Sequence, residues 1–493
     1  MFMQEFIGYL PKIGEFIWDH IIYIETVFAI FVVFFQRKEP KSVWAWLILI
    51  FTVPFVGFPL YLLIGLNLHK EKMFKIKEIE GQINEAIRRQ EASIESRKPP
   101  VKIAKYAYYS DMIYYNLESQ GAVVSDDNKV EIFTDGNEKF EALIRDIENA
   151  KRFVFFQYYI IRDDELMQRI VSVMKRKADE GVRIIILYDA MGCRKTRRRF
   201  WKDLMSHENI KVAEFFPALF KRLQLRVNYR NHRKIAVIDN EIAYVGGFNV
   251  GREYIDKSKR FGHWRDTHLR IRGTAVTALS IRFAQDYDYA SRENLFKDSS
   301  YFEPVTEPRD DGTAIQIISS GPDSSLPNIR NNYLRMINKA RRSIYIQTPY
   351  FIPDESILAA LLIAIHSGIE VNVMIPCKPD HPFVYWATYS HIGELVLAGA
   401  NCYTYQNGFL HSKGMIVDEE ICCYGTANMD IRSFALNFEV NAVIYDECIA
   451  KKMTEIFKED IKYSERITRD EYVKRGLLLR FKEQFCRLLS PLL

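Results

Sequence analysis

At 493 residues the chain is too long for one ordinary hydrophobic core and divides into two or three units. Hydrophobic residues at 48% and aromatics at 14% are high for a soluble protein with a formal net charge of +5, and the apolar excess lies at the N-terminus. The cysteines, Cys193, Cys377, Cys402, Cys422, Cys423, Cys448 and Cys486, show no paired spacing, which argues against a disulfide framework or a cysteine metal cluster and fits a reducing compartment.

Residues 1–70 read as a membrane anchor with two hydrophobic segments. Val43–Leu66 runs for 24 residues without a formal charge. That is long enough to cross a hydrocarbon core of about 30 Å as a helix. Pro54, Gly57 and Pro59 are kinks that membrane helices tolerate. Trp18–Phe35 is nearly as apolar but holds Asp19, His20 and Glu25, so it is either a second span or a helix lying in the interface. A cleavable signal peptide is not expected, because no basic region precedes that segment and no small-residue cleavage site follows it. Basic residues flank Val43–Leu66 on both sides and leave the orientation open, while the cysteines favour a catalytic part on the cytoplasmic side. Residues 71–110 form a charged helical linker.

Residues 111–305 and 306–470 then carry one series of elements twice. In the first, Phe140–Asn149 has helical spacing, Arg152–Ile160 is a strand, Glu165–Glu180 an amphipathic helix and Val182–Asp189 a strand. The second runs Tyr333–Lys339, Ser343–Thr348, Ser356–His366 and Ile369–Ile375, and AKRFVFFQ at 150–157 answers ARRSIYIQ at 340–347. The repetition predicts an α/β fold of two similar halves, each a mixed β-sheet flanked by helices, with a boundary at the Pro-, Asp- and Glu-rich stretch from Glu303 to Asp311. Between strand and motif in the first half, Arg194, Lys195, Arg197, Arg198, Arg199 and Lys202 surround Phe200 and Trp201 in an expected loop suited to anionic lipid headgroups, with nucleic acid as the competing target.

Each half closes on the same hairpin. Asn231–Asn249 reads NHRKIAVIDNEIAYVGGFN and returns at Leu410–Asn428 as LHSKGMIVDEEICCYGTAN. His232, Lys234 and Asp239 recur as His411, Lys413 and Asp418, each numbered 179 higher, and Gly246 and Asn249 recur as Gly425 and Asn428 at the same offset. Strand alternation puts His and Lys on one face, an imidazole beside an ammonium. That pairing offers a nucleophile or acid near neutral pH and a fixed charge for a phosphate. One such hairpin carries little weight, but two copies agreeing at five positions point to a duplicated site. Residues 471–493 form an amphipathic C-terminal helix, with Leu477, Leu478, Phe481, Phe485, Leu488 and Leu489 on one face, either interfacial or docked on the core.

The duplicated His-x-Lys-x4-Asp motif resembles that of the phospholipase D superfamily. Within it, PKSVWAWLILIFTVPFVGFPLYLLIG at 40–65, QTPYFIPD at 347–354, GFLHSK through NMDIRSFALNFEV at 408–440 and the ending RLLSPLL resemble the bacterial-type cardiolipin synthases. A departure is Gly246-Gly247-Phe248-Asn249, where the wider superfamily often has Gly-Ser before the Asn. The resemblance implies one active site shared by both halves, with His232 attacking phosphorus, His411 protonating the leaving alcohol, and Lys234, Lys413, Asn249 and Asn428 binding phosphate. It also implies a carboxylate downstream of each motif to orient the histidines, a role that falls to Asp266 and Glu439. Asp239 and Asp418, the motif aspartates, are expected to tie the motif strand to neighbouring backbone or hydroxyl groups. The implied reaction joins two phosphatidylglycerols into cardiolipin and glycerol, with no metal or cofactor, at an anionic membrane and without nucleic acid. The alternatives are a phosphodiesterase of the same superfamily hydrolysing phospholipid and a non-catalytic lipid-binding scaffold.

Overall fold

The computed structural model describes residues 40–53, 103–216, 229–303, 312–324, 326–378 and 380–488, with isolated positions between 20 and 30 and at 57 and 61. The chain separates into two compact units, Met1–Lys70 with Ala218–Asn228, and Glu71–Pro217 with Tyr229–Leu493.

In the first unit a helix spans Pro40–Thr52. Trp46, Ile50 and Tyr61 form its small core, with the Trp46 and Tyr61 rings edge to face, while Trp44, Ile48 and Phe51 stay exposed. No helix among the described residues is long and apolar enough to cross a membrane. The expected span Val43–Leu66 lies in part, and Trp18–Phe35 and the linker in large part, outside the described residues.

The second unit contains both halves. The first half comprises β1 (Val124–Phe133), α1 (Gly136–Glu148), β2 (Phe153–Tyr158), α2 (Glu165–Asp179), β3 (Arg183–Asp189), α3 (Arg198–Met205), β4 (Ile210–Phe215), β5 (Ile235–Ile238), β6 (Ile242–Gly246), β7 (His268–Arg272) and α4 (Ala275–Ser291). The second half comprises β8 (Thr313–Ser320), α5 (Asn328–Lys339), β9 (Ser343–Gln347), α6 (Glu355–His366), β10 (Glu370–Pro376), α7 (Pro382–Ala398), β11 (Asn401–Tyr405), β12 (Gly414–Val417), β13 (Ile421–Gly425), β14 (Asn437–Tyr445) and α8 (Glu447–Ile461). Beyond it come β15 (Ser464–Ile467), α9 (Arg469–Lys474) and α10 (Leu477–Leu488).

Strand order in the first half is β1-β7-β6-β5-β2-β3-β4, and the second half repeats it as β8-β14-β13-β12-β9-β10-β11. The strands β2, β3 and β4 run parallel, as do β9, β10 and β11, while the motif hairpins add antiparallel strands, so each sheet is mixed. The halves join edge to edge where β1 pairs antiparallel with β8. Strands such as β2 are buried on both faces, which is why they read as continuous apolar runs. Alternate residues divide between layers: Phe153 and Phe155 face a core shared with Ile416, Tyr424 and Phe438 of the other half, whereas Val154, Phe156 and Tyr158 face the helices of their own half. Asp135, Asp164, Asp354 and Asp446 cap the helices that follow them, each accepting a hydrogen bond from a first-turn N–H.

The expected helices and strands appear within a few residues of their sequence limits. Two expectations fail: the basic stretch is helical from Arg198 to Met205, not a loop, and the C-terminal stretch from 471 is two helices, α9 and α10, broken at Arg475 and Gly476, not one. Phe200 and Trp201 are buried, Trp201 stacked on Tyr188 at 3.9 Å between ring centres, so these aromatics give α3 a packing face and are not offered to lipid. The cations around them remain exposed, and Lys195 and Arg197 line an open cavity of about 590 Å³ with Arg162 and Arg252.

Candidate active site

The two motif hairpins meet through backbone pairing that crosses between the halves. Arg230–Asn231, just before the first motif histidine, pairs in parallel with Asn437–Phe438, and Phe409–Leu410 pairs in parallel with Trp264–Arg265. Each pairing ends on a histidine: the His232 N–H donates to the Phe438 carbonyl at 3.0 Å, and the His411 N–H to the Arg265 carbonyl at 2.7 Å. The next residue on each partner strand is an acid, Glu439 or Asp266.

Those acids hold the imidazoles. His232 Nδ1 lies 2.9 Å from Glu439 Oε1 and His411 Nδ1 lies 2.6 Å from Asp266 Oδ2. Both carboxylates are fully buried, yet the nearby histidines and lysines keep them below the usual carboxylate range, so they stand ionised. A carboxylate at Nδ1 fixes the proton there and leaves Nε2 of each ring free to react. Burial, opposed by the carboxylates and reinforced by the lysines, pushes both imidazoles down, His411 to about 4. Both rings are therefore neutral at rest.

Lys234 and Lys413 complete the cluster. Each Nζ bonds the carbonyl two residues back, Lys234 at 2.5 Å from His232 O. Lys413 Nζ also lies 2.8 Å from His411 Nδ1. Desolvation lowers the two ammonium groups to about 7 and about 8, and they repel each other. Two buried ammonium groups beside the histidines are stabilised by a neighbouring anion.

The remaining predicted residues have other neighbours. Asp239 and Asp418 sit at the far end of each motif strand with φ of 57° and 55°, first in tight hairpin turns. Asp239 accepts from the N–H groups of Lys151, Arg152 and Phe153 at 2.7 to 2.9 Å, and Asp418 from Arg341, Arg342 and Ser343 over the same range. They pin the motif strand to the start of β2 or β9 and do not touch the histidines. Asn249 accepts from the Ile160 N–H at 3.1 Å and donates to the Tyr254 hydroxyl, and Asn428 donates to Asp430 at 3.0 Å. Of the nearby histidines, His263 bonds Asp256 and His268 is wholly buried. Among the described residues one trio, Asp135, Asp256 and His263, brings ligand atoms within 4.8 Å of one another, but Asp135 caps α1 and Asp256 already bonds the Trp264 N–H.

Sequence reading missed a second layer. Arg233 bonds buried Asp286, which also accepts from Gln157 at 2.7 Å and Asn231 at 2.8 Å, and Arg233 Nε donates to the Glu439 carbonyl at 3.1 Å. In the second half Asp460 accepts Arg265 through two bonds at 2.9 and 2.7 Å and Gln347 at 2.7 Å, and Arg265 bonds the Asp266 carbonyl. Each orienting carboxylate is thus backed by an arginine–aspartate–glutamine set. The signal available was the repeat itself, which aligns Gln157 with Gln347.

A family model described as "Cardiolipin synthase, PLD-like domain" matches residues 143–260 and 333–461, each segment containing one motif. A cardiolipin synthase of Listeria monocytogenes is 46% identical over 96% of this chain and 98% of its own length, and the major cardiolipin synthase of Bacillus subtilis is 46% identical over 95% and 97%. The chain belongs to the cardiolipin synthase family. A second model, "Phospholipase_D-nuclease N-terminal", matches residues 26–65. The fold of this cardiolipin synthase-family chain is shared by the crystal structure of a phosphatidylserine synthase from Haemophilus influenzae, with a TM-score of 0.57 at 14% identity over 73% of this chain and 92% of that one.

Proposed function

We propose that the protein makes cardiolipin from two phosphatidylglycerol molecules at a membrane, through a phosphatidyl-histidine intermediate. The observation that carries this reading is the crossed pair His232–Glu439 and His411–Asp266, two neutral imidazoles oriented alike around two buried lysines. In the first step Nε2 of His232 forms a bond to phosphorus, the bond from phosphorus to the glycerol oxygen breaks, and the glycerol oxygen takes its proton from Nε2 of His411. The substrate anion, set between Lys234 and Lys413, raises the proton affinity of His411 enough to load that proton. In the second step the hydroxyl of another phosphatidylglycerol gives its proton to His411 as its oxygen replaces His232 on phosphorus. The glycerol released and the cardiolipin formed balance the two lipids consumed.

Hydrolysis is the competing fate of the intermediate, and the side chains of His232 and His411 are only 13% and 11% exposed, which limits water. The match at residues 26–65, the uncharged run Val43–Leu66 and the exposed Trp44, Ile48 and Phe51 support an N-terminal membrane anchor. Seven free cysteines support a catalytic part on the cytoplasmic side.

The test supplies the purified full chain with phosphatidylglycerol in mixed micelles, without added metal or nucleotide, and follows cardiolipin, phosphatidic acid and free glycerol. Cardiolipin and glycerol in equal amounts, lost in His232→Ala, are expected. Phosphatidic acid as the only lipid product would move the protein to the hydrolases.

A further inference from the structure

The C-terminal helix α10 is docked and exposed at once. Its inner side is closed, with Cys486 packed against Ile352 and Ala387 and buried Glu483 accepting from Arg475 at 2.9 Å. Its outer side carries Leu477, Leu478, Phe481, Phe485 and Leu488 at 47 to 82% exposure, a strip that nothing among the described residues covers. Five large apolar side chains along just over three turns form a continuous patch, unlike scattered surface leucines.

Charge flanks that strip on both sides. At 100° per residue, Arg480 and Arg487 fall along one edge and Lys482 along the other, as in helices that lie in a headgroup layer. Arg487 pairs with Glu394 and Arg475 with Glu483, whereas Arg480, Lys482 and Lys474 have no carboxylate partner among the described residues. Beside the Arg480 edge, α7, α9 and α10 line an open cavity of about 370 Å³ that includes Ser390, Glu394, Tyr472, Arg475, Arg480 and Arg487. Ser390 is 1% exposed and its hydroxyl has no partner among the described residues. Arg475 and Arg487 in this lining already pair with Glu483 and Glu394, which leaves Arg480 and the Ser390 hydroxyl as the donors a phosphodiester oxygen would engage.

This corner is fixed to the active site. The Thr388 hydroxyl of α7 accepts from the Phe351 N–H at 3.1 Å, and Phe351–Ile352 pairs with Met429–Asp430, which directly follows Asn428. We propose that the α7–α9–α10 corner is a second membrane contact, in which the apolar strip of α10 enters an anionic bilayer and the Arg480–Ser390 cavity receives the phosphodiester of a lipid other than the reacting pair. The corner sets the height of the catalytic cleft above the bilayer independently of the N-terminal segments. This inference rests on the reading that the substrate is a bilayer phospholipid.

The experiment uses the full chain in vesicles of equal parts phosphatidylglycerol and phosphatidylethanolamine, with Cys377→Ser and Cys448→Ser as background and a bimane fluorophore on Phe481→Cys or, for comparison, on Lys452→Cys in α8. Nitroxide-labelled lipid should quench the label at position 481 at least about twofold more than that at 452. Replacing phosphatidylglycerol by phosphatidylcholine should reduce the difference, and Arg480→Gln should abolish that dependence on anionic lipid. The pair Leu478→Ser with Phe481→Ser should lower turnover in vesicles severalfold relative to turnover in micelles. Equal quenching at the two positions would overturn the inference and show that another part of the chain or a second copy covers the strip. Quenching that ignores lipid charge, or a dependence on lipid charge that survives in Arg480→Gln, would overturn the role of Arg480 and its cavity in the contact. Micelle turnover by the unsubstituted chain separates either failure from failure of the proposed reaction.

Discussion

Nδ1 of His232 lies 2.9 Å from a carboxylate oxygen of Glu439, a residue 207 positions away in the other half of the protein. With the mirror contact from His411 to Asp266, each half supplies the orienting acid for the other half's histidine. Neither half alone pairs its motif histidine with a carboxylate. Glu439→Gln keeps the shape but removes the charge that fixes the His232 tautomer, and turnover should fall on the order of 10² to 10⁴-fold. Because Glu439 acts through His232, combining it with His232→Ala should cost no more than His232→Ala alone. Independent, multiplying losses in steady-state rates would show that Glu439 works elsewhere.

The two orienting acids differ by one methylene, and the backbone opposite each has adapted. Thr426, at the position of Gly247 in the other half, donates to Glu439 Oε2 at 2.6 Å. The shorter Asp266 draws its carboxylate onto Gly247, where an added Cβ would stand 1.9 Å from Oδ1. This accounts for the departure from Gly-Ser before Asn249. Gly247→Ala should displace Asp266 from His411 and lower turnover by at least about 10²-fold. Thr426→Ala, which removes one hydroxyl and adds no clash, should cost about tenfold. Equal losses for the two in the micelle assay would contradict the steric account.

Much of this was legible in the sequence, and the illegible part has a physical cause. The duplicated hairpin fixed the two-half α/β plan because burial on both faces imposes apolar runs such as Ile235–Ile238, and the repeat spacing survives on such strands. Asp266 and Glu439 were recognisable as orienting acids, but their exchange between halves depends on short parallel pairings such as Phe409–Leu410 with Trp264–Arg265, which leave no periodic trace. Phe200 and Trp201 looked like an exposed aromatic patch among cations, since local sequence does not reveal that Tyr188 waits on the neighbouring strand. Asp286 and Asp460 were invisible because each is one acid on an ordinary helix, and only folding brings it to an arginine.

Those aspartates carry a stability prediction. Asp286 and Arg233 are fully buried, so Asp286→Ala strands a guanidinium without water and should cost about 3–5 kcal/mol in denaturant unfolding. Replacing both partners, Arg233→Met with Asp286→Leu, should cost less than Asp286→Ala alone, because no uncompensated charge remains. If the double variant is the least stable, the pair is net stabilising and the desolvation argument fails.

Lys234 and Lys413 are lowered by burial to about 7 and about 8, so if they hold the phosphodiester as proposed, lipid binding should depend on pH within the physiological range. The cationic form binds the phosphodiester, and it is lost as pH rises through these values, so KM for phosphatidylglycerol should rise between pH 7 and 9. Stability of the lipid-free protein should move the opposite way. From these folded values up to the ordinary lysine value of 10.5, the folded state holds fewer protons than the unfolded one, so unfolding free energy gains with rising pH. Binding at pH 8 should also take up protons from weakly buffered solution, since the bound anion draws both ammonium groups back to their charged form. KM profiles, unfolding curves and proton uptake measured on Lys413→Arg provide the check. A guanidinium stays charged, so KM in that variant should rise less steeply above pH 8, keeping only the Lys234 contribution; an undiminished rise would exclude Lys413 as a titrating group.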